Sequence, residues 1–324
     1  MKKILVTGAA GYIGSVLVGQ LLNKGFSVRG LDILNFGGES LITFFNHPNF
    51  EFIKGDIRIE DTIKNAIKDI YGIVHLAAIV GEPACAQKPE EARQTNLLAS
   101  KLLFNLSADS DSVKKFIFAS TCSNYGKMSE GESCTEDSKL NPLSLYAELK
   151  IEFEKYLLDS KTRNDFIPTA LRFSTEYGLS PRIRFDLTIN DFIKEVALNR
   201  ELVIFGKQFW RPYCHVEDLA AACVLVLESE ASLVDHNVFN VGDTRENYQK
   251  QTIAEEILKL VPDAKIKYMQ KENDPRDFRV DFSKIKNKLG FSIKKTVPDG
   301  LREIYSIIKS GIISDPDSQT YKNI

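Results

Sequence analysis

The feature that most constrains this chain lies at residues 2–14, KKILVTGAAGYIG. Ile4, Leu5 and Val6 form an apolar run long enough for a buried parallel strand, and Gly8, Gly11 and Gly14 follow at once. Beyond Gly14, Val16, Leu17, Val18, Leu21 and Leu22 recur at helical spacing, so the order is strand, glycine turn, helix. That order builds an anion site. Glycines permit a tight turn and close approach of backbone to a pyrophosphate, while the helix start offers unpaired N–H groups and the positive end of its dipole. The spacing is G-x-x-G-x-x-G, a departure from the more familiar G-x-G-x-x-G. A second apolar run, Phe26 to Leu31, ends on Asp32, where a carboxylate can accept from the hydroxyls of an adenosine ribose and would repel a 2′-phosphate. NAD is therefore expected rather than NADP.

Further apolar strands are expected at Phe50 to Lys54, Gly72 to Leu76, Lys115 to Ala119 and Ile167 to Phe173, with helical patterns between most of them, notably Pro89 to Ser107 and Ser144 to Asp159. Alternation of this kind implies an α/β fold with a doubly wound parallel sheet, whose ligands gather at the carboxyl ends of the strands. Three segments fall at such ends: Gly55-Asp56-Ile57, His75-Leu76-Ala77-Ala78, and the run Ser120 to Gly126. Asp56 is placed to accept from an adenine amino group, and the small residues Ala77 and Ala78 would let a flat cofactor lie close.

After Phe173 the pattern changes. An irregular stretch carrying Arg172, Arg182 and Arg184 leads to a helix near Leu187 to Leu198, a strand at Leu202 to Phe205, a helix at Val216 to Glu228, a strand at Val238 to Val241 and a helix at Thr252 to Leu260. With 324 residues the chain has room for two lobes. We expect a cofactor-binding domain over 1–173, to which segments near 212–241 return, and a smaller, mainly substrate-binding lobe over 174–324. Residues Ser314 to Ile324 read as a polar, frayed tail.

A net charge of -2 gives no electrostatic case for nucleic acid or an anionic membrane as partner. No apolar run approaches the roughly 18 residues of a membrane span, and the first strand begins too early to leave room for a signal peptide, so the expected location is the cytoplasm. The five cysteines are scattered without a C-x-x-C pair, and are expected as reduced thiols rather than metal ligands.

Chemistry enters with Tyr146 and Lys150, a Y-x-x-x-K pair one helical turn apart on one face. A free phenol has a pKa of about 10, which a neighbouring ammonium and a positively charged nicotinamide ring would bring toward neutrality for general-base work. Lys150 can also donate to the nicotinamide ribose. Thr121, at the end of the fifth strand, would bring a hydroxyl to face the phenol; Ser120 or Ser123 could take that role instead.

The motifs TGAAGYIG, Asp32, GDI, HLAA, STCSNYG, YAELK and RPYCHVEDL resemble, in order and spacing over nearly the whole chain, the extended short-chain dehydrogenase/reductases that act on nucleotide sugars. The resemblance implies a Rossmann-like domain and an NAD-dependent enzyme of the epimerase/dehydratase type. By it, Tyr146 would be the base, Lys150 its partner and Thr121 the hydroxyl helper. Gly8, Gly11, Tyr12, Ile13, Gly14, Asp32, Asp56, Ile57, Leu76, Ala77, Ala78 and Ser120 would contact the cofactor together with Tyr146 and Lys150. Arg211 and Arg276 would hold the diphosphate of a sugar nucleotide, with Thr121, Cys122, Ser123 and Thr175 also at the substrate. The stretch SPRIRFDLTINDF is similar to a subgroup that includes 4-dehydrogenases of nucleotide-linked heptoses, which adds Arg182, Arg184 and Asn190. Asp218 reads as a helix cap.

Departures from the family pattern also carry information. Dehydratases that remove the C6 hydroxyl usually have T-D-E where this chain has Thr121-Cys122-Ser123, which lowers a 4,6-dehydratase reading; an epimerase acting at C4 is expected, with a 4-dehydrogenase or a dehydratase that releases a keto sugar as the alternative. Thr175 stands in place of a frequent asparagine, and Val80 in place of a lysine found in some 4-epimerases. Cys122 is expected as a small buried residue rather than an acid or base, and Trp210 as either a packing anchor or a cap on the nucleotide base. The resemblance also implies a homodimer through a four-helix interface, to which Leu97, Leu98, Leu103, Phe153, Leu157 and Leu158 would contribute. A non-catalytic dinucleotide-binding sensor is the reading from another class; loss of Tyr146 or Lys150 would mark it, and both are present.

Overall fold

The computed structural model describes residues 1–127, 132–271 and 277–323. Seven parallel strands form the central sheet: β1 (Lys3–Thr7), β2 (Ser27–Asp32), β3 (Phe50–Lys54), β4 (Gly72–His75), β5 (Lys115–Thr121), β6 (Ile167–Phe173) and, after a long excursion, β10 (Asn237–Val241). Their order is β10-β6-β5-β4-β1-β2-β3. The chain works outward from β1 through β2 to β3, then crosses to β4 on the other side of β1, and the carboxyl ends of β1 and β4 flank the crevice where that reversal occurs. This α/β arrangement is the doubly wound, Rossmann-like fold the alternating pattern predicts. β5 and β6 are buried along their full lengths, as strands covered on both faces must be.

On one face of the sheet the helix Tyr12–Asn23 packs against Val216–Glu228. On the other, Leu145–Asp159 and the stretch from Pro89 close over a cluster of aromatic rings, with Phe118 and Phe153 edge-on at 4.6 Å. The helix expected from Pro89 to Ser107 is helical throughout but not uniform: Pro89–Arg93 is followed by a π-helical turn at Gln94–Ala99 and then by Ser100–Ala108. The widened turn holds Asn96, whose side chain accepts from Ile79 N and donates to Ile79 O, both at 2.8 Å, tying the helix to the loop after β4. Of the apolar residues expected on an exposed face, Leu97, Leu103, Phe153 and Leu157 are instead buried within this chain's own core, because both helices lie on the sheet; Leu98 stays exposed.

Between β6 and β10, and after β10, the chain builds smaller pieces. β7 (Thr175–Tyr177), β9 (Trp210–His215) and β11 (Asn247–Gln249) form a three-stranded sheet, and β8 (Leu202–Phe205) pairs with β12 (Ile266–Met269). Helices Thr188–Ala197, Lys250–Leu260 and Val297–Lys309 enclose a second core around Ile193, Ile257 and Leu301. Two expectations fail in this region. Asp218 does not cap its helix: His215 does, accepting from Glu217 N through Nδ1 at 3.2 Å, whereas the Asp218 carboxylate accepts from Lys294 N and Lys295 N and pins a distant loop. Nor is the C-terminal stretch frayed. Phe185 N donates to Tyr321 O at 2.9 Å, and the Tyr321 ring stands edge-on to Phe185.

Among the described residues no helix is long and apolar enough to cross a membrane, and no group of three or more His, Cys, Asp or Glu could hold a metal ion. All five cysteines are buried and unbridged.

Candidate active site

The crevice beside β1 opens into a cavity of about 1320 Å³, its open mouth included. One wall is the glycine turn. Gly8 has φ +73°, and a Cβ there would stand 2.9 Å from Ala77 N, so the turn lies directly on the end of β4. A Cβ on Gly14 would come within 2.0 Å of Gly8 O, so only glycine lets the helix sit on its own turn. That helix has no side-chain cap at Gly11, which leaves its first-turn N–H groups facing the cavity lined by Gly11, Tyr12, Ile13 and Gly14.

Asp32 closes the same end. Its Oδ2 accepts from Ala10 N at 3.0 Å and its Oδ1 from Leu34 N at 2.8 Å, so it is held against the turn with its remaining lone pairs toward the cavity. Burial pushes the carboxyl up, and these backbone N–H groups pull it part of the way back. Asp56 and Ile57 line the wall beyond. The Asp56 carboxylate accepts from Arg58 through both oxygens, which holds it below the usual range. Leu76, Ala77 and Ala78 form the flat side of the cavity, and Ser120 sits at its inner end.

At that inner end lies the Y-x-x-x-K pair. Ser144 Oγ caps the helix Leu145–Asp159 by accepting from Ala147 N at 3.2 Å, which places Tyr146 and Lys150 in its first two turns. Lys150 Nζ donates to Ala119 O at 2.7 Å, lies 4.7 Å from the Phe118 ring centre and 5.8 Å from that of Tyr146. Burial lowers its pKa to about 8. Burial raises the Tyr146 phenol, the Glu176 carboxylate adds to the rise, and the Arg184 guanidinium opposes it. Thr121 ends β5, with Oγ1 accepting from Ser123 N at 3.1 Å. Ser120 is committed elsewhere, donating to buried Glu154 at 2.5 Å, and Ser123 lines only the second cavity.

A second cavity, of about 1570 Å³ with its mouth, adjoins the first. Thr121, Tyr146, Glu176 and Arg184 line both, so the phenol stands at their junction. Cys122, Ser123, Thr175 and Arg211 line the second cavity. Cys122 is fully buried, its thiol pushed up by burial and donating to Arg172 O, in keeping with a packing role. Arg182, expected at the substrate, lines only the first cavity. Asn190, also expected there, lines neither: it is buried in a clasp, accepting from Gly178 N and donating to Tyr12 OH and Arg184 O. Trp210 lines neither cavity and packs under the Arg279 guanidinium. Arg276 lies outside the described residues.

Several lining residues had no motif to announce them. Glu176, which lines both cavities, and Asp186, which lines the second, hold Arg184 between them at 2.9 and 2.8 Å; Glu82 and Lys250 also line the second. Arg184 was at least visible in SPRIRFD, whereas Glu176 is a single acid in the middle of the three-residue strand β7.

Residues 4–242 match the NAD dependent epimerase/dehydratase family. The chain belongs to this family. The low-salt glycan biosynthesis protein Agl12 of Haloferax volcanii is 30% identical, with 92% of this chain and 96% of that protein covered. The UDP-glucose 4-epimerase of Lactobacillus helveticus is also 30% identical, over 90% of this chain and 92% of its own. Among solved structures, the UDP-glucuronic acid 4-epimerase of Bacillus cereus, in complex with UDP-glucuronic acid and NAD, superposes with a TM-score of 0.84 at 28% identity, covering 95% of this chain and 99% of that one. This family member is thus an NAD-dependent enzyme of the nucleotide-sugar epimerase/dehydratase type, and the first cavity fits the cofactor: the glycine cradle would be filled by any Cβ, and the Asp32 carboxylate lines the same cavity.

Proposed function

We propose that the protein is a nucleotide-sugar 4-epimerase, acting through a transient 4-keto sugar. The observation that carries this reading is the junction: Tyr146 and Thr121 line both the cavity with the glycine cradle and the cavity with Arg211. Sheet strands and their helices, 1–173 with the return near 212–241, form the cofactor side, and most of 174–324 the substrate side. Bound NAD supplies the hydride acceptor and, once reduced, the donor.

The chain's own residues do the rest. Arg211 neutralises the diphosphate and leaves the sugar at the junction, among Cys122, Ser123 and Thr175. Tyr146 Oη takes the hydroxyl proton, and Thr121 Oγ1 shares the hydrogen bond from which it leaves. Lys150 holds positive charge below the phenol and offers an N–H to the nicotinamide ribose. In the free protein, burial holds the phenol protonated; the charge of an oxidised nicotinamide ring is the counterweight that makes it a base. With Cys122 buried and spent on the Arg172 carbonyl, the fifth strand end lacks the acid and base that loss of a C6 hydroxyl requires, which disfavours a 4,6-dehydratase. The reading includes a homodimer through the outer faces of the helices carrying Leu98 and Leu158; a monomeric mass by light scattering at micromolar concentration would remove that part.

A panel of UDP-, GDP-, dTDP- and CDP-sugars tests the activity. Conversion to a C4 epimer without accumulation of NADH is the expected result. NADH formed in step with sugar consumed would replace the epimerase by a 4-dehydrogenase, and inertness toward every sugar, with NAD binding intact, would leave only a sensor.

A further inference from the structure

Arg182 is 7% exposed, lines the cofactor cavity, and has a buried Nε with no hydrogen-bond partner. Asn323 lines the same cavity, and its buried Oδ1 is likewise without a partner. A free donor and a free acceptor in one cavity wall are costly to leave unmet, and together they suit a ribose hydroxyl or the edge of an adenine.

Their position follows from their neighbours. The Arg182 guanidinium carbon lies 4.3 Å from the Phe36 ring centre, and Phe36 follows Asp32 by four residues in the loop after β2. Arg182 also lies within electrostatic reach of Asp32 itself. These residues mark the adenosine end. The segment carrying Asn323 is fixed over it by a series of bonds: Arg182 Nη2 donates to Lys322 O at 3.1 Å, Asn323 N to Asp186 Oδ2 at 3.2 Å, and Phe185 N to Tyr321 O.

We propose that residues Ser318–Asn323 form a strap across the adenosine half of the cofactor cavity, with Arg182 and Asn323 as direct cofactor contacts that slow its release. A cofactor reduced and reoxidised within one turnover has to stay bound, and the strap adds contacts to those of the glycine turn and Asp32. This inference rests on the family's cofactor and not on the choice of sugar, so it stands or falls without any sugar present.

The experiment uses the whole chain, stripped of dinucleotide, and NAD as the probe. Affinity is measured by calorimetry and release by exchange against labelled NAD, for Asn323→Ala, Tyr321→Ala and Arg182→Met, with melting curves to confirm folding. Loss of one such contact should weaken NAD binding roughly ten-fold, mostly through faster release. Tyr321→Ala touches no cofactor and should act by loosening the strap, so restoring the ring with Tyr321→Phe should restore slow release. Wild-type affinity and release in both Asn323→Ala and Tyr321→Ala would overturn the proposal, whatever Arg182→Met does. Should Arg182→Met fail to fold, those two variants decide the matter alone.

Discussion

The two sides of the molecule hold their polar interiors in different ways. Beneath the fifth and sixth strands, Arg172 and Glu154 form an ion pair whose side chains are 4% and 1% exposed. Around it Ser120 Oγ donates to Glu154, Arg172 donates to Tyr125 OH and Glu136 O, and Tyr125 OH donates to Asn240 at 2.6 Å. Ser120, Arg172 and Asn240 sit side by side on three adjacent strands of the parallel ladder and Glu154 on the helix packed over them, with Tyr125 and Glu136 added from the turns that follow β5. Among the described residues, the smaller pieces built after β6 have only short ladders, of three strands and of two, and are stitched instead by carboxylates reaching backbone far away in sequence. Glu246 accepts from Val297 N and Glu303 from Leu179 N, while two residues of the segment that returns to the main sheet are tied to these pieces, Asp218 by accepting from Lys294 N and Lys295 N and His215 by its 2.6 Å contact with Glu303. Where a sheet supplies register, buried charge can be concentrated under the reacting strand ends; where it does not, charge is spent on holding loops in place.

The largest effect expected from this contrast is chemical. Tyr146→Phe removes one oxygen from a ring held on the sheet side, so the fold and NAD binding should persist while turnover falls by roughly 100- to 10,000-fold, about 3–5 kcal/mol of transition-state stabilisation. Steady-state rates on the sugar identified by the panel check it, and near-wild-type turnover would remove Tyr146 from the role of base. Next comes the pair itself. Glu154→Gln leaves the buried Arg172 guanidinium without its counter-charge, which costs about 3–5 kcal/mol of stability. Denaturant unfolding measures this, and a loss no greater than that of a surface substitution would mean that Tyr125 and Glu136 suffice to hold Arg172.

In the smaller pieces the corresponding test is a pH profile. Burial raises the pKa of Glu246 to about 7, against 4.5 for a free glutamate, with the Val297 N–H pulling it partly back. The folded protein therefore holds this proton more tightly than the unfolded chain. The resulting stability is fully present below 4.5 and is lost as pH rises through 7. Glu246→Gln keeps an oxygen for Val297 N and removes the titration. Melting temperatures followed across this range should show the wild type losing ground to the variant as pH rises, and parallel curves would show that Glu246 does not titrate in that window.

How much of this could be read beforehand depends on whether a residue's neighbours are near it in sequence. The glycine turn, Asp32 and the pair Tyr146 and Lys150 were legible because each belongs to a period, a strand end or one helix face. The parallel sheet followed from the same alternation. Arg182 and Arg184 are the counterexample. They lie two residues apart in a loop with no period, yet Arg184, which lines both cavities, turns to Glu176 and Asp186 while Arg182 turns to Phe36 in the first alone. Asn190 was misread for a related reason: a polar residue at a helix start looks available, but here three buried backbone and phenol groups use it up. The tail looked frayed because its composition is polar, and composition does not record that its backbone finds partners on Arg182, Phe185 and Asp186.

The smallest expected effect belongs to the ion pairs on the surface of that same tail. Asp317 meets Arg200 at 2.6 Å and Lys194 at 3.5 Å, and these contacts pull its carboxyl down to about 2. Geometry alone would rank the Arg200 pair beside Arg172 and Glu154, since the two N···O distances are equal. Exposure separates them. The Arg200 and Asp317 side chains are 45% and 44% exposed, so water and salt screen the charges, and ordering two long side chains offsets most of what remains. Asp317→Asn should therefore cost well under about 1 kcal/mol, and less still at high salt. Unfolding curves at low and high ionic strength provide the check. A salt-insensitive loss comparable to that of Glu154→Gln would mean that this corner is packed as tightly as the interior under β5 and β6, and the distinction between the two sides would no longer hold there.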